Sequence, residues 1–173
     1  MKYSMKSMCL GALALLASPA CSDATIEPLA LDLTNFRVLE GTVVGGGQVD
    51  VDQFPAMAED GYSLVVNLRS EAESFPENEG ELAQAAGMHY LHIPLGGGDL
   101  VRSHATLLAA ALEAHGDGNV LIHCASGNRV GALWGLHVAV RDELNSDEGV
   151  QAARDAGMQS EGLAECVRAA LAK

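Results

Sequence analysis

The chain has 173 residues, with 10 basic and 23 acidic side chains and a formal net charge of −13 at pH 7. This length has room for one domain with a substantial hydrophobic core. The acidic balance argues against nucleic acid or an anionic membrane surface as partner. An anionic substrate must therefore be attracted by a local site, because the overall field of the protein repels it.

The first twenty residues have the pattern of a secretory signal peptide. Lys2 and Lys6 form a short basic region, residues 8–17 are apolar, and small residues precede Cys21. The apolar run is too short to span a bilayer. Cleavage leaves 8 basic residues against 23 acidic ones, a net charge of −15. We therefore predict a signal peptide over residues 1–20 and export to the periplasm or membrane of a bacterial envelope.

Cys21 directly follows this small-residue site, and two outcomes of processing stay open. The site is similar to a bacterial lipobox, in which the cysteine is lipidated and becomes the mature N-terminus, but Ser18 departs from the usual leucine of that box. Simple cleavage and release is the alternative. Residues 21–34 are predicted to form a tether before a single domain over residues 35–173. Membrane contact is expected only through a lipid on Cys21.

From Phe36 onward the chain alternates strand-like and helix-like segments. The predicted strands are residues 37–44 (a pair broken at Gly41), 64–68, 89–93 and 119–122. The predicted helices are residues 52–60, 78–86, 104–114, 130–141, 146–156 and 163–171, with Asp52, Ser103 and Ser146 as N-caps. Buried strands that alternate with helices predict an α/β domain with a mostly parallel central sheet and helices on both faces. Ligands bind beyond the carboxyl ends of the strands in such sheets.

The most informative segment follows the last predicted strand. Residues 121–129 read LIHCASGNR, and a helical pattern begins at Val130. A cysteine at this position lies among backbone N–H groups and at the positive end of a helix dipole, both of which stabilise thiolate over thiol. Arg129 adds a full positive charge. We therefore predict that Cys124 is a nucleophile directed at an anionic group, with an inert core cysteine as the alternative.

This prediction assigns a role to each residue of the loop. Cys124 attacks a phosphorus or sulfur centre, while backbone N–H groups and the guanidinium of Arg129 hold the oxyanions. The predicted binding residues are Ala125, Ser126, Gly127, Asn128 and Arg129. Gly127 permits the turn that directs the amides inward, and Asn128 is expected to bond the loop's own backbone. His123 is expected to stiffen the loop and not to act as the base.

A leaving alkoxide needs a proton donor from another element. Asp99 is the leading candidate, because it lies on a glycine-rich loop at the C-terminal end of the preceding strand and so at the same edge as Cys124. Arg102 and His104 are weaker candidates nearby. The alternative for Asp99 is an acid near the start of the next helix without a catalytic role.

Two other side chains are expected to be structural. Cys166 is expected to pack within the last helix, although a disulfide with Cys124 is the alternative in an oxidising compartment. Arg69 ends a buried strand at the predicted site edge, and we expect it to orient loops or to form a salt bridge with Glu71 or Glu73.

Four segments of the chain combine into a specific set of motifs. They are residues 44–48 (VGGGQ), 61–69 (GYSLVVNLR, followed by Glu71 and Glu73), 92–94 (HIP) and 123–129 (HCASGNR). This set resembles the bacterial beta-lactamase-hydrolase-like phosphatase domain over about residues 36–141. That family is similar to dual-specificity and tyrosine phosphatases. The resemblance implies a cysteine-phosphatase fold, a phosphocysteine intermediate at Cys124, phosphate bound by Arg129, and neither metal nor cofactor.

The loop is shorter than that of tyrosine phosphatases. Those proteins have five residues between the cysteine and the arginine, whereas Ala125 to Asn128 are four. The hydroxyl residue that usually follows the arginine and helps the thiolate to leave is replaced by Val130, unless Ser126 substitutes for it. A six-residue loop is the length seen in rhodaneses, whose cysteine carries a sulfane sulfur.

Three hypotheses about function follow. The first is a cysteine-dependent phosphatase that acts on a phosphorylated small molecule or protein. The second is a rhodanese-like sulfurtransferase that carries a persulfide on Cys124. The third is a catalytically silent anion-binding module of the envelope. The resemblance favours the first because it spans several segments, whereas the rhodanese hypothesis depends mainly on the length of the loop.

Overall fold

The structure, a computed structural model, describes residues 31–96, 98–116 and 118–172. The predicted signal peptide, the processing site at Cys21 and most of the predicted tether lie outside the described residues. The described end of the tether is packed, since Leu31 and Leu33 are both buried in the hydrophobic core. The packed part of the chain therefore includes apolar residues that we had assigned to the tether 21–34.

One five-stranded sheet organises the described residues. Its strands are β1 (Arg37–Glu40), β2 (Val43–Gly46), β3 (Tyr62–Asn67), β4 (His89–His92) and β5 (Asn119–His123). Their spatial order is β1-β2-β5-β3-β4, with β1 antiparallel to β2 and every other pair parallel. The predicted mostly parallel sheet is confirmed. Because β5 lies between β2 and β3, the residues that follow it occupy the middle of the carboxyl edge.

Six α-helices cover the two faces of this sheet in the described part of the chain. They are α1 (Phe54–Glu59, preceded by the 3-10 turn Val51–Gln53), α2 (Glu79–Ala85), α3 (Arg102–His115), α4 (Asn128–Arg141), α5 (Ser146–Asp155) and α6 (Glu161–Leu171). Helices α1 and α2 pack on one face and α3 to α6 on the other, as predicted. None of the described helices combines the length and apolar character that a membrane crossing requires.

The apolar sequence of the central strands has a simple cause. Successive side chains of a strand point to opposite faces. Along β3, Leu64 and Val66 contribute to the core under α3 to α6, while Val65 between them contributes to the core under α1 and α2. A strand that is buried on both faces needs apolar residues at nearly every position, which places β3 and β5 at the centre of the sheet.

The three predicted N-caps are wrong. The observed caps are Asp50, Val101 and Asn145, in place of Asp52, Ser103 and Ser146. The carboxylate of Asp50 accepts the N–H of Asp52 at 3.1 Å, so the predicted cap is already inside the turn. In two of the three cases a polar residue just before the predicted cap, Asp50 or Asn145, accepts the free backbone N–H groups instead.

Helix α4 begins at Asn128, two residues before the predicted start at Val130. Its N-cap is Gly127, whose φ of +81° is a left-handed conformation that favours glycine. The earlier start places Arg129 in the first turn of the helix. The arginine therefore lies beside the unpaired N–H groups of the helix N-terminus.

Candidate active site

Cys124 lies at the centre of the carboxyl edge, directly after β5. Its side chain is fully buried, and its Sγ accepts a hydrogen bond from the backbone N–H of Gly127 at 3.1 Å. The left-handed backbone of Gly127 turns this N–H inward. The N–H of Cys124 donates to the carbonyl of Gly46 at 3.2 Å and fixes the start of the loop to β2. The sulfur therefore lies at the N-terminal end of α4 with an amide directed at it.

Arg129 is anchored by two loops of the same edge. Its Nη1 donates to the carbonyl oxygens of Leu68 and Leu95 at 3.3 and 2.9 Å. Its two Nη atoms also bond the carboxylate of Glu73, with Nη2 2.7 Å from Oε1. Leu68 and Glu73 follow β3, and Leu95 follows β4. The guanidinium is therefore held in one orientation before any ligand binds.

One edge of the Arg129 guanidinium presents N–H groups that do not bond to protein oxygens among the described residues. Oxygen acceptors of the described residues occupy Nη1 and one N–H of Nη2, whereas the Nε–H and the second N–H of Nη2 have no oxygen acceptor there. These two donors lie side by side in the planar fork that matches two oxygens of an oxyanion. The guanidinium also interacts with the side chain of Cys124. The hydrogen bonds to Glu73 raise the pKa of Arg129, burial opposes this, and the negative charge of Cys124 raises it further. The side chains of Arg129 and Cys124 are therefore close enough to interact.

Glu73 is the functional residue that the sequence analysis missed in this role. Besides Arg129, it accepts the backbone N–H and the hydroxyl of Ser70 at 2.8 and 3.0 Å. It also lies 3.5 Å from Nε of Arg69, which confirms the expected salt bridge. The hydrogen bonds from Arg129 are the main cause that lowers the pKa of Glu73 to about 2. The sequence did contain one indication of this role: Glu73 closely follows a predicted parallel strand, so it lies at the same sheet edge as the Cys124 loop.

A buried polar network lies beneath the loop. The fully buried carboxylate of Glu79 accepts hydrogen bonds from Gln48 Nε2 at 2.9 Å, Asn67 Nδ2 at 2.6 Å and the Tyr90 hydroxyl at 2.8 Å. Gln48 in turn accepts a bond from Nη1 of Arg69 at 2.7 Å. The network therefore joins the ends of β2 and β3 to α2 and β4, and Arg69 has the structural role expected of it.

His123 is the nearest ionisable group to Cys124 along the chain. Its ring is fully buried, and neither nitrogen has a hydrogen bond within the described residues. Nε2 is 3.5 Å from Oε1 of Glu79, which is beyond a good hydrogen bond. Burial, assisted by the positive charges of Arg69 and His92, lowers the pKa of His123 to about 3. The ring is therefore neutral at physiological pH, which suits the supporting role predicted for it.

Asp99 lies on the segment between β4 and α3, and its side chain is exposed. The carboxylate lies against Gly96, where no Cβ could be accommodated without a shift of Asp99. Within the described residues it has no hydrogen bond. The same segment includes Leu95, whose carbonyl accepts a bond from Arg129. Asp99 therefore lies four residues along the chain from a contact of Arg129, with its own side chain exposed.

Arg102 and His104, the two weaker candidates for the proton donor, differ in their contacts. Arg102 is the first residue of α3 and is exposed. His104 Nδ1 accepts the backbone N–H of Val101 at 3.3 Å and so completes the N-terminus of α3. This bond commits His104 to the helix end.

The remaining loop residues divide into exposed and buried positions. Ala125 and Ser126 are exposed at the rim, and Ser126 Oγ accepts a bond from Asn128 Nδ2 at 3.3 Å. The expected bond from Asn128 to the loop's own backbone is wrong. Its Oδ1 accepts the N–H groups of Gln159 and Ser160 instead, because the turn between α5 and α6 lies against the loop. Val130 is buried in the core.

Cys124 and Cys166 are both free thiols, so the alternative of a disulfide between them is not formed. Cys166 is half-buried in α6 and packs against the core, as expected. Across residues 31–96, 98–116 and 118–172, no group of three or more histidine, cysteine or acidic side chains is arranged to hold a metal ion.

Comparison with known sequences identifies related proteins. The family described as "Beta-lactamase hydrolase-like protein, phosphatase-like domain" matches residues 35–141. The beta-lactamase hydrolase-like protein of Xylella fastidiosa strain Temecula1 is 33% identical over 106 residues, which are 59% of this chain and 24% of that protein. The chain therefore matches about a quarter of the length of this curated relative.

Comparison with solved structures identifies the fold. A DUF442 protein from Shewanella putrefaciens CN-32 has a TM-score of 0.67 and 19% identity, over 82% of this chain and 93% of that chain. The core catalytic domain of the PP-IP phosphatase SIW14 from S. cerevisiae has a TM-score of 0.58 and 16% identity, over 78% and 84%. The sheet, the loop at its centre and these likenesses agree on a cysteine-phosphatase fold. The chain belongs to the family of beta-lactamase hydrolase-like, phosphatase-like domains.

Proposed function

We propose that this protein is a cysteine-dependent phosphatase that hydrolyses phosphoesters through a phosphocysteine at Cys124. One observation carries the proposal. The sulfur of Cys124 accepts a hydrogen bond from the Gly127 amide at 3.1 Å, and Arg129 is held by Glu73 with two parallel donors that have no oxygen acceptor among the described residues. A nucleophile next to a preorganised oxyanion fork suits attack on phosphate. The phosphatase-like family supports the same choice.

In the first step the thiolate of Cys124 attacks phosphorus. A P–S bond forms, the P–O bond to the leaving group breaks, and Asp99 donates a proton to the departing oxygen. Arg129 and the N–H groups of residues 125–129 stabilise the charge on the three remaining phosphate oxygens. Substrate binding is expected to bring the exposed Asp99 segment over the site.

In the second step water attacks the phosphocysteine. The Asp99 carboxylate accepts a proton from the water, the P–S bond breaks, and inorganic phosphate and the thiolate are released. Ser126 is the hydroxyl residue of the loop, since the position after the arginine is the buried Val130. Its oxygen accepts a bond from Asn128 and its own hydrogen is available, so we assign it the assistance to thiolate departure.

The substrate that we propose is a phosphorylated small molecule or protein, met outside the cytoplasm. The proposed location depends on the N-terminal pattern of residues 1–20, and a lipid on Cys21 would tether the enzyme to a membrane. Fractionation of cells that express the full chain, compared with a Cys21→Ser variant, separates an anchored from a released protein.

The direct test is hydrolysis of p-nitrophenyl phosphate by the wild type and by Cys124→Ser. We expect turnover by the wild type and its loss in the variant. Cys166→Ser is the matched control, because Cys166 is the other free thiol of the described residues and lies in α6, so activity should be unchanged. Equal hydrolysis by the Cys124→Ser variant contradicts the proposal. Persulfidation of Cys124 by thiosulfate without phosphatase turnover would instead support a sulfurtransferase.

A further inference from the structure

The turn between α5 and α6 touches the candidate active site. Oδ1 of Asn128 accepts the backbone N–H groups of Gln159 at 2.7 Å and Ser160 at 3.2 Å. Its Nδ2 donates to Ser126 Oγ at 3.3 Å. Asn128 thus joins the loop to a segment 31 residues further along the chain. Both polar atoms of its amide group are used in these contacts.

A second asparagine joins the same two segments from the other side. Nδ2 of Asn35 donates to the carbonyl of Gly157 at 2.7 Å. Asn35 also lies against Gly127, because a Cβ at either Gly127 or Gly157 would be 2.9 Å from Asn35 Nδ2. We call Asn35, Asn128 and the turn residues 157–160 the loop clasp.

The position of Asn128 in the sequence connects the loop clasp to the groups that would react. Asn128 stands between Gly127, whose N–H bonds the sulfur of Cys124, and Arg129, whose guanidinium is bonded to Glu73 and Leu95. A shift of the backbone at Asn128 therefore moves both groups together. The loop has only four residues between the cysteine and the arginine, so Asn128 is close in sequence to both reacting groups. Misplacement by about 1 Å at a reacting centre costs on the order of 100-fold in rate.

We infer that Asn128 is a positioning residue, through which the α5–α6 turn holds the amide of Gly127 and the side chain of Arg129 in register. The family match ends at residue 141, so residues 157–160 contribute to the site from beyond the matched domain. The inference depends on the proposed phosphatase function, because the register matters only if the loop binds and attacks phosphate.

The main test is Asn128→Ala, assayed with p-nitrophenyl phosphate. We expect kcat and kcat/KM to fall by about 10- to 100-fold while the protein stays folded, because the interaction is needed in the transition state. Asn145→Ala is the matched control. Asn145 also accepts two backbone N–H groups, at 3.0 and 3.1 Å, but it caps the far end of α5. A similar loss of stability with unchanged kcat is expected for this control.

Asn128→Asp is the conservative variant, since a carboxylate keeps an acceptor for both N–H groups. It loses the Nδ2 donor to Ser126 and adds a negative charge near the proposed phosphate site, so its kcat should lie between those of Asn128→Ala and the wild type. If Asn128→Ala does not fold, Asn35→Gly decides, because it removes the bond to Gly157 and permits the φ of +56° at residue 35. A lower kcat in Asn35→Gly then supports the clasp, and an unchanged kcat overturns it.

The outcomes separate this inference from the proposed function. Absence of turnover in the wild type, or full turnover in Cys124→Ser, removes the proposed function itself. If Cys124→Ser is inactive but Asn128→Ala keeps the wild-type kcat, only the positioning role is overturned. It is also overturned if Asn145→Ala loses as much kcat as Asn128→Ala, or if Asn128→Asp shows no recovery.

Discussion

The two loops that would supply the nucleophile and the acid are held in opposite ways. The loop from Cys124 to Arg129 has a buried thiol, an amide on the sulfur and an arginine bonded to two neighbouring loops. The segment with Asp99 leaves its carboxylate exposed and without a hydrogen bond among the described residues. A phosphate site gains from donors that are fixed before the reaction, whereas an acid has to approach a leaving group of variable shape.

This difference predicts that changes in the loop from Cys124 to Arg129 affect every substrate. The largest such effect among the side chains that we propose to hold phosphate is expected for Arg129→Lys. Lysine keeps the charge but lacks the planar fork, so it cannot bond both Glu73 and two phosphate oxygens. We expect kcat/KM for p-nitrophenyl phosphate to fall by about 1,000-fold. Steady-state kinetics at fixed pH measures kcat/KM for both proteins. A loss of less than about 10-fold would show that the anchored guanidinium of Arg129 is not needed, which contradicts the proposed role of this loop.

The exposed side of the comparison is tested by Asp99→Asn. The rate should fall by about 100-fold or more with an alkyl or phenyl phosphate, because these leaving groups need a proton. With p-nitrophenyl phosphate, whose leaving group is a stable anion, the first step should change little. A series of aryl phosphates with increasing leaving-group pKa measures this dependence. A uniform change across the series, or none, removes Asp99 from the role of acid.

A smaller effect is expected for Glu73→Gln. The amide keeps one acceptor for Arg129 but loses the charge, so the guanidinium is held less firmly and kcat/KM should fall by about 10-fold. Glu40→Gln is a control with the same chemistry, because Glu40 pairs with Arg141 on the surface, away from the loop. An equal loss in both variants would show that removal of any carboxylate, and not the support of Arg129, lowers the rate.

The last prediction concerns how the free energy of unfolding depends on pH. The pKa of Glu73 is lowered from 4.5 to about 2, so its contribution to the free energy of unfolding is complete above about pH 4.5 and is lost as the pH falls towards 2. The contribution is on the order of 2 kcal/mol, since the carboxylate is partly exposed. Urea unfolding should show a difference between the wild type and Glu73→Gln that narrows as the pH falls from about 4.5 to 2. A constant difference contradicts this linkage.

The sheet and the reactive loop could be predicted because their signals are local. An apolar run such as residues 64–68 has to be buried on both faces, and a cysteine between a strand and a helix has to lie at the edge of the sheet. The partners of these residues could not be predicted. Glu73 meets Arg129 across 56 residues of chain, and Asn128 meets Gln159 across 31. Such contacts depend on how loops pack in the folded protein.

Glu79 shows a second limit of sequence analysis. An acid in the first turn of a helix is normally a solvated residue that favours the helix dipole. Here it is fully buried, because Gln48, Asn67 and Tyr90 supply three hydrogen bonds to its carboxylate. Nothing in the local pattern around Glu79 indicates that these donors converge on it.

The central claim is that Cys124 forms a covalent bond to phosphorus, and trapping that intermediate tests it most directly. Wild-type protein and Asp99→Asn are mixed with p-nitrophenyl phosphate, quenched in acid and digested, and the peptide that contains Cys124 is analysed by mass spectrometry. We predict a phosphorylated Cys124 in the wild type, a larger amount in Asp99→Asn because hydrolysis of the intermediate is slowed, and none in Cys124→Ser. Phosphatase turnover with no phosphate on Cys124 in either protein, unchanged in Cys124→Ser, would contradict the account.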